Sequence, residues 1–178
     1  LEQESETVAD SSKNERILAE VEKRKHQAHS AEAAEEKVEL VIFTLGDDFY
    51  AFYGHHVKEI LPYEKITFVP GCPDAIIGII NVRGDIESVI NLHKIFGIPE
   101  SRMSRNTRIM IAAEKEIRSG ILADSVEDVL SVPVSSVSQP ILTLDKSVKE
   151  FAVGGETLYN GRYVTLLDIG RIFAKFRV

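Results

Sequence analysis

A few groups of residues have the types and spacing from which chemistry is built. His55 and His56 are adjacent, and His26 and His29 stand three apart, the helical spacing that puts two imidazoles on one face. A zinc site needs three or four ligands around one point. Neither pair has a third His, a Cys or an Asp at ligand spacing, and neighbours in a strand point to opposite faces. Cys72, the one cysteine, sits in Pro70-Gly71-Cys72-Pro73 without a histidine partner in a nucleophile motif. Gly154-Gly155 lacks the Lys and Ser or Thr of a phosphate loop, and no serine stands in a nucleophile elbow. Asp124, Glu127 and Asp128 resemble paired acids, but a solvated strand face is the simpler reading. Nothing here gives positive support for catalysis, a metal or a cofactor.

Arg83-Gly84-Asp85 offers recognition rather than reaction. Ile77, Ile79 and Ile80 lead into a turn on Asn81, Arg83 and Gly84, and Ile86, Val89, Ile90 and Leu92 lead out of it. Gly84 takes the positive φ that such a hairpin turn needs. Arg83 at the tip is either a solvated charge or an interaction residue on a rigid support. The tripeptide is also an RGD sequence, a motif short enough to arise by chance.

This stretch has an echo. Val82–Phe96 aligns without gaps on Tyr159–Phe173, with Gly84 on Gly161, Ser88 on Thr165, Asn91 on Asp168 and Phe96 on Phe173. Val57-Lys58-Glu59-Ile60-Leu61 is echoed by Val126-Glu127-Asp128-Val129-Leu130. One supersecondary unit is therefore used twice, fewer copies than a solenoid needs.

The 178 residues suffice for one or two small domains, and an apolar fraction of 44% supports a real core. No apolar run approaches a membrane span of about 20 residues. The single cysteine and the absence of a secretion signal point to a reducing, cytoplasmic setting. A net charge of −7 argues against general nucleic-acid binding.

Residues 1–37 read as an acidic extension. Positions 1–10 are polar and expected to be disordered, and Ser12 with Glu15 forms a capping box for a helix over Lys13–Lys37. From Val38 the pattern turns to strands. Val38–Leu45 is apolar on both faces, Gly46-Asp47-Asp48 turns, and Phe49–Phe52 returns. Val57–Leu61 and Ile66–Val69 are expected strands, ended by Pro62 and Pro70. Thr107–Ala113 and Ile117–Leu122 form another hairpin, and Ser125–Leu130 follows. Val148–Val153 and Thr157–Tyr159 are expected strands separated by Gly154-Gly155. Asn160-Gly161 turns into Tyr163–Leu167, and Asp168 caps a closing helix over Ile169–Phe176. Short strands at even spacing are a barrel signature rather than a βαβ one.

Phe43–Tyr50, Val57–Leu61, Gly78–Ile86 and Gly120–Leu130, in this order and spacing, resemble the bacterial chemotaxis coupling proteins, the CheW-like family. The resemblance covers about residues 38–178. It implies an all-β fold: two SH3-like five-stranded β-barrels around a shared hydrophobic core, with intertwined strands. The helical N-terminal extension is not a standard part of that family. It also implies a non-catalytic adaptor without cofactor. Such an adaptor links the cytoplasmic tips of chemoreceptors to the regulatory domain of the histidine kinase CheA and is recruited to receptor arrays without inserting into the membrane. By position, Val57, Glu59, Gly78, Arg83, Gly84 and Gly120 match family residues that contact partners or support the contact. Arg83 and Glu59 would supply charge complementarity, and apolar side chains between the barrels most of the affinity. Ser88, Asn91 and Arg118-Ser119 depart from the family pattern, which often has Pro and Asp at the first two positions and apolar residues at the third. A small-ligand barrel or an enzyme outside chemotaxis is the alternative, and it would need convergent titratable groups in an enclosed cavity.

Overall fold

The computed structural model describes residues 36–137 and 144–176. The helix expected over 13–37 lies outside the described residues except at Glu36, which has no regular structure, and Lys37, which already belongs to the first strand. The described residues form ten strands: β1 (Lys37–Leu45), β2 (Asp48–Tyr53), β3 (Val57–Pro62), β4 (Ile76–Val82), β5 (Asp85–Asn91), β6 (Arg108–Glu114), β7 (Ile117–Ala123), β8 (Ser125–Pro133), β9 (Ala152–Tyr159) and β10 (Arg162–Leu167). Three short helices join them: α1 (Leu92–Phe96), α2 (Lys146–Lys149) and α3 (Ile169–Ala174).

The strands make two five-stranded sheets, ordered β8-β1-β2-β10-β9 and β3-β6-β7-β5-β4. The internal echo explains these orders. Replacing each strand by its counterpart in the other repeat turns one order into the other: β3 becomes β8, β4 becomes β9, β5 becomes β10, and hairpin β6–β7 becomes β1–β2. Each repeat therefore lends its leading hairpin to the other repeat's sheet. The parallel pairings of β2 with β10 and of β7 with β5 are the seams of this exchange. Neither SH3-like barrel is built from one continuous half of the chain.

The alternation of side chains follows from this arrangement. On β1, Leu40 and Ile42 fill their own barrel, while Val41, Phe43 and Leu45 face the other way. On β6, Ile109 and Ile111 fill the second barrel, while Met110 and Ala112 face the first. The outward set meets in one shared core with Tyr50, Phe52, Leu92, Phe96, Phe151, Ile169 and Phe173. Phe43 stacks on Phe52 with ring centroids 4.9 Å apart. A strand with two buried faces reads as a continuous apolar run, which is why Val38–Leu45 shows no polar alternation.

Both closing helices start on the cap residue that the echo pairs. Asn91 accepts from the His93 amide, and Asp168 from the Arg171 amide. Three expected elements differ. The first two residues of the expected strand Val148–Val153 belong instead to α2, because Asp145 caps Ser147 N at 3.1 Å. β9 continues through Gly154-Gly155, although its register against β10 shifts there, from Glu156 opposite Thr165 to Ala152 opposite Leu167. The expected strand Ile66–Val69 reduces to one bridge, Thr67 to Ile79, which ties the loop after β3 to the edge of β4.

Tyr50, 4% exposed, reports on the shared core. Burial first, then the carboxylates of Asp48 and Asp145, push its phenol up to about 12. The folded state therefore holds this proton more tightly than the unfolded chain. Stability is full below about pH 10 and falls as pH rises toward 12, at about 1.4 kcal/mol per pH unit. Urea melts of wild type and Tyr50→Phe across that window will show the slope in wild type and a shallower one in the variant.

Candidate functional site

The β4–β5 turn places Arg83 at φ +54° and Gly84 at φ +102°, the two positive values of a type I′ hairpin. Asn81 Oδ1 accepts the Gly84 amide at 2.8 Å and closes the turn. The equivalent turn in the other repeat has Asn160 at φ +49° and Gly161 at φ +75°. Asn tolerates the left-handed region because its short polar side chain bonds locally, whereas Arg has no such compensation. Arg83 holds this place at a cost of about 1 kcal/mol or more, so its side chain rather than its backbone explains its presence.

That side chain reaches Glu59. Arg83 Nη2 donates to Glu59 Oε1 at 2.6 Å, across 24 positions of sequence. The Arg83 side chain is 80% exposed and that of Glu59 24%. Glu59 lies just past an irregularity in β3, where Val57 pairs with Ala112 but Glu59 pairs with the adjacent Ile111. Such a bulge re-aims the side chains that follow it. The ion pair stands at the rim of a groove of about 190 Å³ with Leu61, Pro62, Ile80, Val82 and Ile109 in its lining. β3 and β4 are the two edge strands of their sheet, so the groove is the gap between them. Ile86, 61% exposed and paired across the hairpin with Asn81, extends apolar surface beside it.

The other nominated residues lie beneath or behind this rim. Gly78 is buried at φ +146°, and a Cβ there would sit 2.3 Å from Thr67 O, so it makes room for the Thr67 bridge. Gly120 is buried, and a Cβ would come within 2.8 Å of Ile109 Cγ2 on the groove floor. Val57 is half-buried against the shared core. Thus Arg83 and Glu59 meet at the surface, Gly84 shapes their turn, and Val57, Gly78 and Gly120 occupy supporting positions.

Each position that departs from the family pattern has a polar partner in the structure. Ser119 Oγ donates to Ser88 O at 2.9 Å, and the two hydroxyls lie 2.8 Å apart. Arg118 Nε lies 3.0 Å from Oε1 of the buried Glu87. Asn91 caps α1 and donates to Glu100 Oε2 at 2.8 Å. None of these pairings is visible in local sequence spacing, because each crosses between elements.

Two expectations about titratable groups change. His55 and His56 lie in a 3-10 turn, Gly54–His56, where the strand rule that separates neighbours does not apply, and their rings are 4.0 Å apart. Burial, then His56 and Lys58, hold His55 below the usual imidazole range. Among the described residues no cluster of three His, Cys, Asp or Glu is placed to hold a metal ion. Asp124 does not share a solvated face with Glu127 and Asp128. It accepts from Gly46 N at 2.7 Å and from Ser101 Oγ at 2.6 Å, beside His93. Ser101, His93 and Asp124 are the members of a hydrolytic triad in the wrong order, since the serine proton goes to the carboxylate rather than to the imidazole.

The CheW-like domain model matches residues 39–177. Chemotaxis protein CheW of Bacillus subtilis is 36% identical over 55% of this chain and 63% of that protein, a match just under two thirds of its length. Chemotaxis protein CheW of Thermotoga maritima is 30% identical over 79% of this chain and 90% of that protein. The crystal structure of the scaffolding protein TtCheW from Thermoanaerobacter tengcongensis superposes with a TM-score of 0.68 at 28% identity, covering 75% of this chain and 86% of that one.

Because Arg83 is so exposed, its ion pair adds little to folding. A double-mutant cycle with Glu59→Gln and Arg83→Gln should give a coupling of about 0.2–1 kcal/mol in urea denaturation. Gly78→Ala should cost about 2–4 kcal/mol by the same measurement, since the new Cβ meets a carbonyl oxygen at a positive φ.

Proposed function

The chain belongs to the CheW-like domain family, and we propose that it couples chemoreceptors to a histidine kinase by docking through the Arg83 hairpin and the groove beside it. It is a chemotaxis coupling adaptor. In this reading the kinase partner is a CheA regulatory domain, itself a double barrel, and the receptor partner is the cytoplasmic hairpin tip. The adaptor works at membrane-associated receptor arrays without entering the membrane and without turnover. No helix among the described residues is long and apolar enough to cross a membrane.

The observation that carries the reading is the 2.6 Å contact between Arg83 and Glu59 at the mouth of an apolar groove. The charges at the rim speed encounter and set register, and the apolar floor and Ile86 supply contact area. Val57, Gly78, Gly84 and Gly120 act as the support for that surface. The rigidity of the two-barrel core means that the hairpin is presented already in its binding geometry, which lowers the entropy lost on association.

Binding of the full chain to the purified regulatory domain of its cognate kinase tests this. Arg83→Glu should weaken it at least about tenfold, equivalent to about 1.4 kcal/mol, while the thermal melting profile stays near wild type. The charge swap Glu59→Arg with Arg83→Glu should restore the intramolecular pair without restoring affinity. Unaltered affinity in Arg83→Glu removes the hairpin from the interface.

A further inference from the structure

The groove beside the Arg83 hairpin carries its own indication of what enters it, an inference that rests on the docking role proposed above. At about 190 Å³ it is smaller than the roughly 300–1,000 Å³ of a small-molecule site and has the scale of one side chain. An added strand is a poor fit. β4 is an edge strand, but Ile79 donates its amide to Thr67 O and accepts the Thr67 amide, both at 2.9 Å, so the loop after β3 already covers that edge. An occupant therefore enters side chain first.

The lining defines the chemistry of that side chain. The floor is aliphatic, with Ile80, Val82 and Ile109 buried and Leu61 half-buried. The charged residues of the lining are Glu59, Glu64 and Arg83, two acids against one base, for a net −1. Arg83 is held by Glu59 at 2.6 Å, so those two charges cancel. The side chain of the exposed Glu64 has no hydrogen bond or ion pair among the described residues, and it is the uncompensated carboxylate of the rim. The nearby lysines do not balance it: neither Lys58 nor Lys65 lines the groove, and Lys58 reaches back to His55 O.

The other side of the hairpin repeats the pattern. Arg118 Nε meets the buried Glu87 at 3.0 Å, while the Asp85 side chain, 73% exposed, lies 3.8 Å from Arg118 Nη1, beyond hydrogen-bond reach. Each arginine of this face is thus held by one carboxylate, and a second carboxylate is left over. A long aliphatic stem ending in a cation meets both demands, since lysine and arginine cover apolar surface with their methylenes and keep the charge at the rim.

We infer that the groove takes one lysine or arginine side chain of the kinase's regulatory domain, its stem on the aliphatic floor and its cation at Glu64.

Titration of the full chain with the regulatory domain of its cognate kinase tests this. Glu64 is exposed and without side-chain partners, so its variants keep the fold. Glu64→Gln should weaken binding about fivefold at low salt and Glu64→Lys more than about tenfold, both differences shrinking as salt is added. Each surface lysine and arginine of the regulatory domain is then changed singly to Glu. One of these reversals should bind Glu64→Lys at least about tenfold more tightly than it binds the wild-type chain. Glu64 variants that bind like wild type while Arg83→Glu is weakened overturn the basic occupant and leave the docking role standing. If Arg83→Glu also binds like wild type, the docking role itself fails. Weakening by Glu64→Lys that no reversal restores overturns the inference as well, because the carboxylate then acts only through the general field of the surface.

Discussion

The structure depends on a reciprocal exchange of hairpins. Each repeat contributes β-strands that its own sheet does not use, and each sheet is completed by strands from the other repeat. Unfolding either repeat would strip two strands from the other repeat's sheet and expose the shared core of Phe43, Phe52, Leu92 and Phe173. The two barrels are thus one cooperative unit in the physical sense that neither buries its apolar faces alone. Many pairings also join residues far apart in sequence, such as β1 with β8, and such topologies close costly loops before contacts reward them.

On that rigid body, the turn at Arg83 is a place where the chain accepts strain, as the β6–β7 turn does at Lys115, φ +56°. The matched turn at Asn160 shows what a merely structural hairpin uses there. The difference between Asn and Arg at one backbone conformation isolates the side chain as the reason, in a way that exposure alone does not, since exposed arginines are ordinary. The bulge at Val57–Glu59 has a similar logic on the facing edge: it is a local departure from regular pairing beside a side chain that points at Arg83.

Much of the fold was legible because it is repeated. Val82–Phe96 against Tyr159–Phe173 identified the unit, and Asp168 identified the cap of the closing helix. The two-faced apolar character of Val38–Leu45 indicated a strand with buried sides. The reading failed where a short local signal competed with distant contacts. Val148 looked like strand, but Asp145 starts a helix there; Gly154-Gly155 looked like a break, but β10 pairs across it. Arg83 and Glu59 were legible as candidates, whereas their mutual contact was not, because nothing local relates a turn tip to an edge strand. Asp124 was misread as solvated for the same reason: its partners, Gly46, Ser101 and His93, come from three other segments.

These features combine into one account of how a protein without a reactive centre carries information. An adaptor must hold two partners at a fixed relation, and flexibility between its surfaces would decouple them. A shared core spanning both sheets removes most of that freedom, and the chain crosses from one sheet to the other at two joints, Gly54–His56 and Asp124. Polar networks at such joints act differently from apolar packing. Apolar contacts resist separation in any orientation, whereas a carboxylate accepting from Gly46 and Ser101 in defined directions specifies one orientation. Directional polar contacts at the joint thus complement the undirected apolar contacts of the core.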